Sequence, residues 1–207
     1  MAAEGEPSAF PKKVYLVRHA QSLQNVATAN FFLGGQVQAL GDLIRLGYDA
    51  ALSDAGRKQL QDASSTLSKA EQGFGEQRGV ELVAHSPLQR AAHTAAALFP
   101  RFAQHQKMVE LPQLHERTIT EYFFPALMEA RIQHVRRWLE GRPEKVIALV
   151  GHGQFFKACM GATKVQPNVS IAETDYSSAT GFTASKIVYG GFPEPEVRRE
   201  YSQIGDR

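Results

Sequence analysis

The sequence predicts an α/β fold, a three-layer sandwich in which a mostly parallel central sheet is flanked by helices. Short apolar runs rich in β-branched residues recur along the 207-residue chain, and stretches with helical periodicity separate them. Strands that alternate with helices in this way favour a parallel sheet with helices on its faces. No repeat or linker interrupts the pattern, so we expect one domain over 1–207, with flexible tails at 1–11 and about 192–207.

Five apolar runs predict the strands of this sheet. The runs at 14–17, 80–84 and 146–150 are continuously apolar, as is typical of strands covered on both faces. Shorter runs at 108–111 and 187–189 predict two further strands.

Capping residues and prolines mark where the predicted helices begin and end. Ser53 is a typical helix N-cap, and proline suits the first turn of a helix but not its interior. The four predicted helices are 54–70, one opened by Ser86-Pro87 that runs to Leu98 and is stopped by Pro100, 125–140, and one that follows Gly151.

Composition excludes several function classes. The net charge is +2, which gives no global field for binding nucleic acid, and the single cysteine, Cys159, excludes an internal disulfide. Cys159 follows an apolar pair, so we expect it to be buried. No apolar run reaches ~18 residues and the acidic N-terminus has no signal-peptide pattern, so we expect a cytoplasmic protein without a membrane partner.

Polar residues follow the three clearest strands. The residues at these strand ends are Arg18-His19, His85-Ser86 with Arg90 one helical turn later, and Gly151-His152-Gly153. In an open α/β sheet, ligands bind at the carboxyl ends of the strands, where helix N-termini favour an anion. Guanidinium groups match phosphate oxygens in geometry and charge. The sequence therefore predicts a pocket for a dianion of phosphate type.

Covalent catalysis by histidine is the phosphate chemistry that this residue set supports. The chain has no glycine-rich P-loop, no H-E-x-x-H motif and no carboxylate pair at a strand end, so neither a nucleotide cradle nor a metal site is expected. A neutral histidine can attack phosphorus, and adjacent arginines keep it neutral by lowering its pKa. The leaving oxygen then needs a proton from a carboxylic acid or from a second histidine.

Four ordered blocks resemble the histidine phosphatase superfamily, in its phosphoglycerate-mutase-like branch. They are Leu-Val-Arg-His-Ala-Gln-Ser-Leu-Gln-Asn at 16–25, Leu-Ser-Asp-Ala-Gly-Arg-Lys-Gln at 52–59, Ser-Pro-Leu-Gln-Arg-Ala at 86–91 and Val-Gly-His-Gly at 150–153. Ala20 and Gln21 replace the glycine and glutamate that are common in the first block. The resemblance implies the sandwich fold and a reaction that needs neither a metal nor another cofactor.

The resemblance also implies roles for individual residues. His19 would be the phosphorylated nucleophile, and Glu116 would be the proton donor, with Glu121 as a competitor for that role. The residues that would hold the phosphate are Arg18, Ser22, Asn25, Arg90 and His152, together with Gly153, whose lack of a side chain lets the backbone approach a ligand closely.

The length of one connector separates two readings of the resemblance. Only 36 positions separate Glu116 from His152, whereas true phosphoglycerate mutases carry a longer insertion there that grips a bisphosphate cofactor. A short lid leaves a phosphohistidine open to water, so we favour a phosphatase acting on a small phosphorylated substrate. A 2,3-bisphosphoglycerate-dependent mutase and an inactive phosphate-binding module remain alternatives, and the sequence leaves the oligomeric state open.

Two further groups of residues have simple interpretations. Arg131, Arg136 and Arg137 fall on one amphipathic helix, and a solvated face is expected for them. The aromatic residues at 31–32 and 122–124 lie in connectors near the predicted site, where they could form core or line the pocket.

Overall fold

The structure, a computed structural model, describes residues 11–32, 35, 38–68, 74–105 and 108–193. The predicted tails lie outside these residues, apart from Pro11, Phe192 and Pro193. Phe192 is tied to the fold, because its N–H donates to the carbonyl of Asn168 at 2.8 Å.

In the described residues, one or more helices separate each of the first four strands from the next, and the last three strands follow one another. The strands are β1 (Lys12–Arg18), β2 (Leu82–His85), β3 (Met108–Glu110), β4 (Val146–Gly151), β5 (Ile171–Ser177), β6 (Gly181–Phe182) and β7 (Lys186–Tyr189). The helices are α1 (Leu23–Phe32), α2 (Gln38–Leu46), α3 (Asp54–Leu67), α4 (Phe74–Gln77), α5 (Gln89–Leu98), α6 (Pro100–Gln104), α7 (Ile119–Phe123), α8 (Pro125–Glu140) and α9 (Gly153–Cys159), with a 3₁₀ turn at Pro112–Leu114.

Within the described residues, one sheet contains seven strands in the order β3-β2-β4-β1-β5-β6, and β7 also pairs with β5. The four strands β3, β2, β4 and β1 run parallel, which confirms the predicted fold class. β5 pairs antiparallel with β1, and β6 and β7 pair antiparallel with β5. The predicted strand at 187–189 is confirmed as β7, whereas β5 and β6 were not predicted.

Alternation along β1 divides the core into two layers. Val14 and Leu16 join a buried cluster with side chains from α8 and α9, whereas Tyr15 and Val17 join a second cluster with side chains from α3 and α5. Successive residues of a strand point to opposite faces of the sheet, so both faces of β1 are covered by helices. The three-layer sandwich is therefore confirmed.

Most predicted helix boundaries are confirmed, with three differences. The helix predicted to open at Ser86-Pro87 begins at Gln89. α8 spans the predicted 125–140, and Ser53 caps α3 by accepting the Gly56 N–H at 3.0 Å. α3 ends at Leu67, and positions 69–70 of the predicted helix lie outside the described residues. Pro100 does follow the end of α5, but it also begins α6, because proline is well suited to a first helical turn.

The prediction of a solvated face for Arg131 is wrong. Arg137 is exposed, but Arg131 is only 8% exposed because it forms an ion pair with Glu121 inside the fold. The prediction that Cys159 is buried is confirmed, and burial raises the pKa of its thiol to about 12. None of the helices built from the described residues has the length and apolar character needed to cross a bilayer.

Candidate active site

The pairing of β1 with β4 brings the two predicted site histidines together. The strands are parallel, and Arg18 lies opposite Gly151 at their carboxyl ends, so His19 and His152 leave the sheet side by side. The His19 N–H donates to the Gly151 carbonyl at 2.9 Å, which fixes the first residue beyond β1. The two imidazole rings meet edge to face with their centroids 4.8 Å apart.

His19 is oriented as a neutral nucleophile. Its Nδ1 lies 2.6 Å from the carbonyl oxygen of Ala20, which can only accept, so Nδ1 carries the proton and Nε2 keeps its lone pair. Burial lowers the pKa of His19 well below its usual value, and the charges of Arg90 and Arg18 lower that pKa further. The ring is therefore uncharged at neutral pH, as attack on phosphorus requires.

His152 presents one nitrogen that has no partner. Its Nε2 lies 2.8 Å from the hydroxyl of Ser86, which also accepts the Leu88 N–H. Nδ1 is fully buried and makes no hydrogen bond to any described residue; the nearest carboxylate oxygen, on Glu116, is 4.0 Å away. Burial, followed by the neighbouring His19 and Arg90, lowers the pKa of His152 well below its usual value.

Two nearly buried arginines supply the positive charge of the site. Arg90 lies in the first turn of α5, is 1% exposed, and donates from Nη1 to the carbonyl of Tyr48 at 3.0 Å. Arg18, the last residue of β1, is 5% exposed and donates to the carbonyl of Gln166. Two guanidinium groups fixed in this way form a preorganised cradle for an anion.

A cavity of about 570 Å³ opens above this cluster. Four of the predicted site residues line it, and these are Arg18, Asn25, Arg90 and Glu116. Gly153 lies beside Arg18 instead of on the cavity wall: a Cβ atom there would come within 2.3 Å of Val165 Cγ1 and 3.0 Å of Arg18 Nε. The structural requirement at Gly153 is therefore space for the side chains of Val165 and Arg18.

Ser22 and Asn25 form a cap at the start of α1. Asn25 Oδ1 accepts the Ser22 N–H at 3.0 Å, and the Ser22 hydroxyl accepts the Asn25 N–H at 3.2 Å. This reciprocal pattern satisfies two N–H groups at the end of the helix. Ser22 is fully buried, whereas Asn25 lines the cavity and retains its amide NH₂ group as a donor.

Glu116 is the carboxyl group that the structure places beside the histidines. Its side chain is 21% exposed, and Oε1 accepts the N–H of Arg117 at 2.8 Å. Carboxylate and imidazole atoms of Glu116, His19 and His152 all lie within 4.8 Å of one another. Burial raises the pKa of Glu116 despite the opposing effect of the nearby arginines, so its protonated form is favoured more than in water.

Glu121, the competing carboxyl group, is held in a different environment. Both of its carboxylate oxygens accept from Arg131 at 2.7 Å, and Oε2 also accepts the Thr118 N–H at 2.9 Å. Arg131 and this backbone bond outweigh burial and lower the pKa of Glu121. Glu121 is thus an ionised partner of Arg131, which does not suit a proton donor.

The nucleophile and its two neighbours could in principle ligate a metal ion. His19, Glu116 and His152 form such a set. The two guanidinium groups that lower the histidine pKa values would also repel a divalent cation, and a single carboxylate does not offset them. The charge distribution of the site therefore fits an anion better than a metal ion.

Sequence reasoning did not assign three residues of the site. Ser86 binds His152, Tyr48 accepts from Arg90 and donates from its hydroxyl to the Glu116 carbonyl at 2.6 Å, and Arg117 lines the cavity. Ser86 was named as a strand-end residue after β2, but its contact with His152 was not predicted. Tyr48 lies in a connector with no periodicity or motif that marks it.

Residues 14–123 match the histidine phosphatase superfamily (branch 1), which covers more than half of the chain. The chain belongs to the histidine phosphatase superfamily. The superfamily match begins in β1, contains His19 and Arg90, and ends after Glu116. No curated protein sequence matches the chain.

Solved structures of other proteins share this histidine phosphatase fold. A mycobacterial glucosyl-3-phosphoglycerate phosphatase bound to VO₃ has a TM-score of 0.54 at 19% identity, over 87% of this chain and 99% of that one. A phosphoserine phosphatase variant from Entamoeba histolytica gives 0.54 at 15% identity, over 86% and 96%. A phosphoglycerate mutase from Bacillus anthracis gives 0.55 at 13% identity, over 89% and 94%. The fold is thus common to phosphatases and a mutase, and it does not separate the two activities.

Proposed function

We propose that this protein is a metal-independent phosphomonoester hydrolase that acts through a phosphohistidine on His19. The observation that carries the proposal is the fully buried Nδ1 of His152, which has no partner among the described residues and sits between neutral His19 and protonatable Glu116. Buried polar atoms are nearly always satisfied, so such an atom beside two guanidinium groups fits a bound phosphoryl oxygen.

The first chemical step transfers the phosphoryl group to His19. The Nε2 lone pair forms a bond to phosphorus while the bond from phosphorus to the substrate oxygen breaks. Arg18, Arg90 and His152 stabilise the charge on the three equatorial oxygens. Glu116 donates its proton to the departing oxygen, so the alcohol leaves neutral and Glu116 becomes a carboxylate.

The second step returns the enzyme to its starting state. The Glu116 carboxylate takes a proton from water as the water oxygen attacks phosphorus, and the bond between phosphorus and Nε2 breaks. Inorganic phosphate leaves, Nε2 recovers its lone pair, and Glu116 is again protonated. One water molecule is consumed for each ester hydrolysed.

The segment between Glu116 and His152 favours hydrolysis over mutase chemistry. Apart from short connectors, the residues between Glu116 and His152 form α7, α8 and β4. α8 packs on the sheet through Met128, Ile132 and Val135. A mutase must keep water away from its phosphohistidine, and α8 is committed to the core, so it does not act as a lid. Water access supports a phosphatase with a small phosphorylated substrate.

The test is to capture the phosphoenzyme in the presence of EDTA. Enzyme is mixed with a ³²P-labelled phosphomonoester and quenched in alkali, which preserves phosphohistidine, and the label is mapped by peptide analysis. We expect label on the peptide that contains His19 and none in His19→Ala. Hydrolysis of a substrate chiral at phosphorus is measured in parallel, and two successive displacements give net retention of configuration.

Four results would contradict the proposal. Inversion at phosphorus would show direct attack by water, and turnover that EDTA abolishes would show a metal requirement. Interconversion of 2- and 3-phosphoglycerate faster than phosphate release would establish the mutase alternative. Equal phosphate release by wild type and His19→Ala would show that His19 is not the nucleophile.

A further inference from the structure

Residues 115–118 carry Glu116 but form no helix or strand. They join the 3₁₀ turn that ends at Leu114 to α7, which begins at Ile119. Such a segment lacks the regular backbone hydrogen bonds of a helix or a strand, so the position of Glu116 depends on contacts from other parts of the chain. A proton donor must be placed accurately to act.

One buried ion pair holds this segment on both sides of Glu116. Arg131 Nη1 donates to the carbonyls of Gln113 and His115, at 2.9 and 2.6 Å, and His115 immediately precedes Glu116. The partner of Arg131, Glu121, accepts the Thr118 N–H at 2.9 Å, two residues after Glu116. The side chains of Arg131 and Glu121 therefore hydrogen-bond to the backbone before and after Glu116, respectively.

The pair is itself rigidly fixed. Arg131 Nε and Nη2 bind the two oxygens of Glu121 at 2.7 Å each, and the side chains are 8% and 7% exposed. The guanidinium lies 4.5 Å from the centre of the Phe155 ring in α9, the helix that follows His152. Arg131 thus connects the segment that carries Glu116 to α9, the helix whose N-cap residue is His152.

Stability alone does not account for this arrangement. Removing two charges from water is costly, and replacing a buried ion pair by apolar residues of similar size is often neutral or stabilising. The bidentate geometry and the extra backbone bonds instead define one position for the segment. We propose that Arg131 and Glu121 are positioning residues for Glu116, an inference that rests on the proposed role of Glu116 as proton donor.

The test compares two substrates that differ in their need for a proton. p-Nitrophenyl phosphate has a good leaving group, whereas glycerol phosphate releases an alkoxide that must be protonated. We expect Arg131→Met to lower kcat/KM, which reports phosphoryl transfer to His19, by about 10- to 100-fold for glycerol phosphate and by less than about threefold for p-nitrophenyl phosphate. Arg137→Met, an exposed arginine on the same helix, serves as the matched control and should change neither value.

A second variant keeps the test valid if Arg131→Met unfolds, because it would leave Glu121 buried without its partner. The double variant Arg131→Met/Glu121→Met removes both charges and is expected to fold with a Tm near that of wild type. It should show the same difference between substrates. When Arg131→Met is added to Glu116→Gln, no further loss on glycerol phosphate should follow, because Arg131 acts through the carboxyl group that is already gone.

Glu116→Gln alone separates failure of this inference from failure of the proposed function. If Glu116→Gln lowers kcat/KM for both substrates equally, Glu116 is not the proton donor in the first step and both proposals fall. If Glu116→Gln discriminates between the substrates but the folded Arg131 variants lower both rates equally, or lower neither, the positioning role is refuted and the proposed function stands.

Discussion

His152 meets His19 edge to face, with ring centroids 4.8 Å apart and an interplanar angle of 60°. Both rings are almost completely buried, and the pKa of each is lowered well below its usual value, first by burial. The pair is therefore neutral in the folded protein under conditions in which free histidine begins to take up protons.

Protonation of this pair should destabilise the protein in mild acid. The unfolded chain protonates both histidines near pH 6.5, whereas the folded chain resists protonation, so the unfolded state binds more protons as pH falls below that value. The free energy of unfolding should drop by up to about 1.4 kcal/mol per pH unit for each histidine until pH reaches the folded pKa. Urea unfolding between pH 8 and pH 5 measures this slope.

The contribution of the pair can be isolated by two variants. His152→Asn should reduce the pH slope by as much as one histidine contributes, whereas the exposed His134→Asn should keep the slope of wild type. An unchanged slope in His152→Asn would mean that another group causes the acid sensitivity.

Removing the charge of Arg90 should affect both binding and the nucleophile. Arg90→Gln removes the largest charge effect on His19, so the pKa of His19 should rise, which ¹H NMR titration of the imidazole can follow. We also expect kcat/KM for p-nitrophenyl phosphate to fall by about 10²–10³-fold, since one fixed donor to the phosphoryl oxygens is lost.

Arg90→Lys distinguishes charge from geometry. Lysine keeps a positive charge but cannot reproduce the planar guanidinium fork. The pKa of His19 should therefore stay low in Arg90→Lys, while kcat/KM still falls. A lysine variant with the activity of wild type would show that the geometry of the guanidinium is not needed.

The sheet could be predicted where burial on both faces makes a strand continuously apolar. β1 and β4 have this pattern, and the residues directly after them, His19 and His152, could be assigned to the site from their strand ends alone. β5 was missed because it alternates: Ala172, Thr174 and Tyr176 are buried, whereas Glu173 and Asp175 interrupt the apolar pattern. The alternation of apolar and polar residues with a two-residue period could have indicated this strand.

Contacts between distant segments could not be read from local patterns. In the sequence, Arg131 is one of several charged residues on a helix. Its burial depends on an ion pair with Glu121, which lies in the preceding helix, α7. Choosing between Glu116 and Glu121 as the acid also required coordinates, because only their environments distinguish them: one faces the cavity and the other faces Arg131. The same applies to Tyr48, whose contacts to Arg90 and Glu116 span more than forty residues of chain.

Gly153 should not tolerate a side chain. The Cβ of Gly153→Ala would come within 2.3 Å of Val165 Cγ1 and 3.0 Å of Arg18 Nε, so one of the two must move. We expect a loss of about 1–3 kcal/mol in unfolding free energy, typical of overpacking, together with a higher KM if Arg18 is displaced. Denaturant unfolding and steady-state kinetics measure the two effects.

Two alanine variants control for this prediction. Gly41→Ala in α2 has nothing within 4 Å of the added Cβ and should stabilise the protein by about 0.5–1 kcal/mol. Gly153→Ala/Val165→Ala removes the closest clash and should recover part of the lost stability. If the second substitution recovers nothing, the clash with Val165 is not the cause.

The raised pKa of Glu116 predicts how activity depends on pH. Burial favours its protonated form, so Glu116 should stay protonated above the pH range in which an exposed glutamate ionises, and lose its proton as pH rises further. For glycerol phosphate, kcat/KM should therefore fall across the pKa of Glu116, because the leaving alkoxide no longer receives a proton. For p-nitrophenyl phosphate, which leaves without protonation, the fall should be much weaker. Glu116→Gln carries no titrating group and should lose this alkaline limb on glycerol phosphate; a limb that persists unchanged in Glu116→Gln would assign the proton to a different residue.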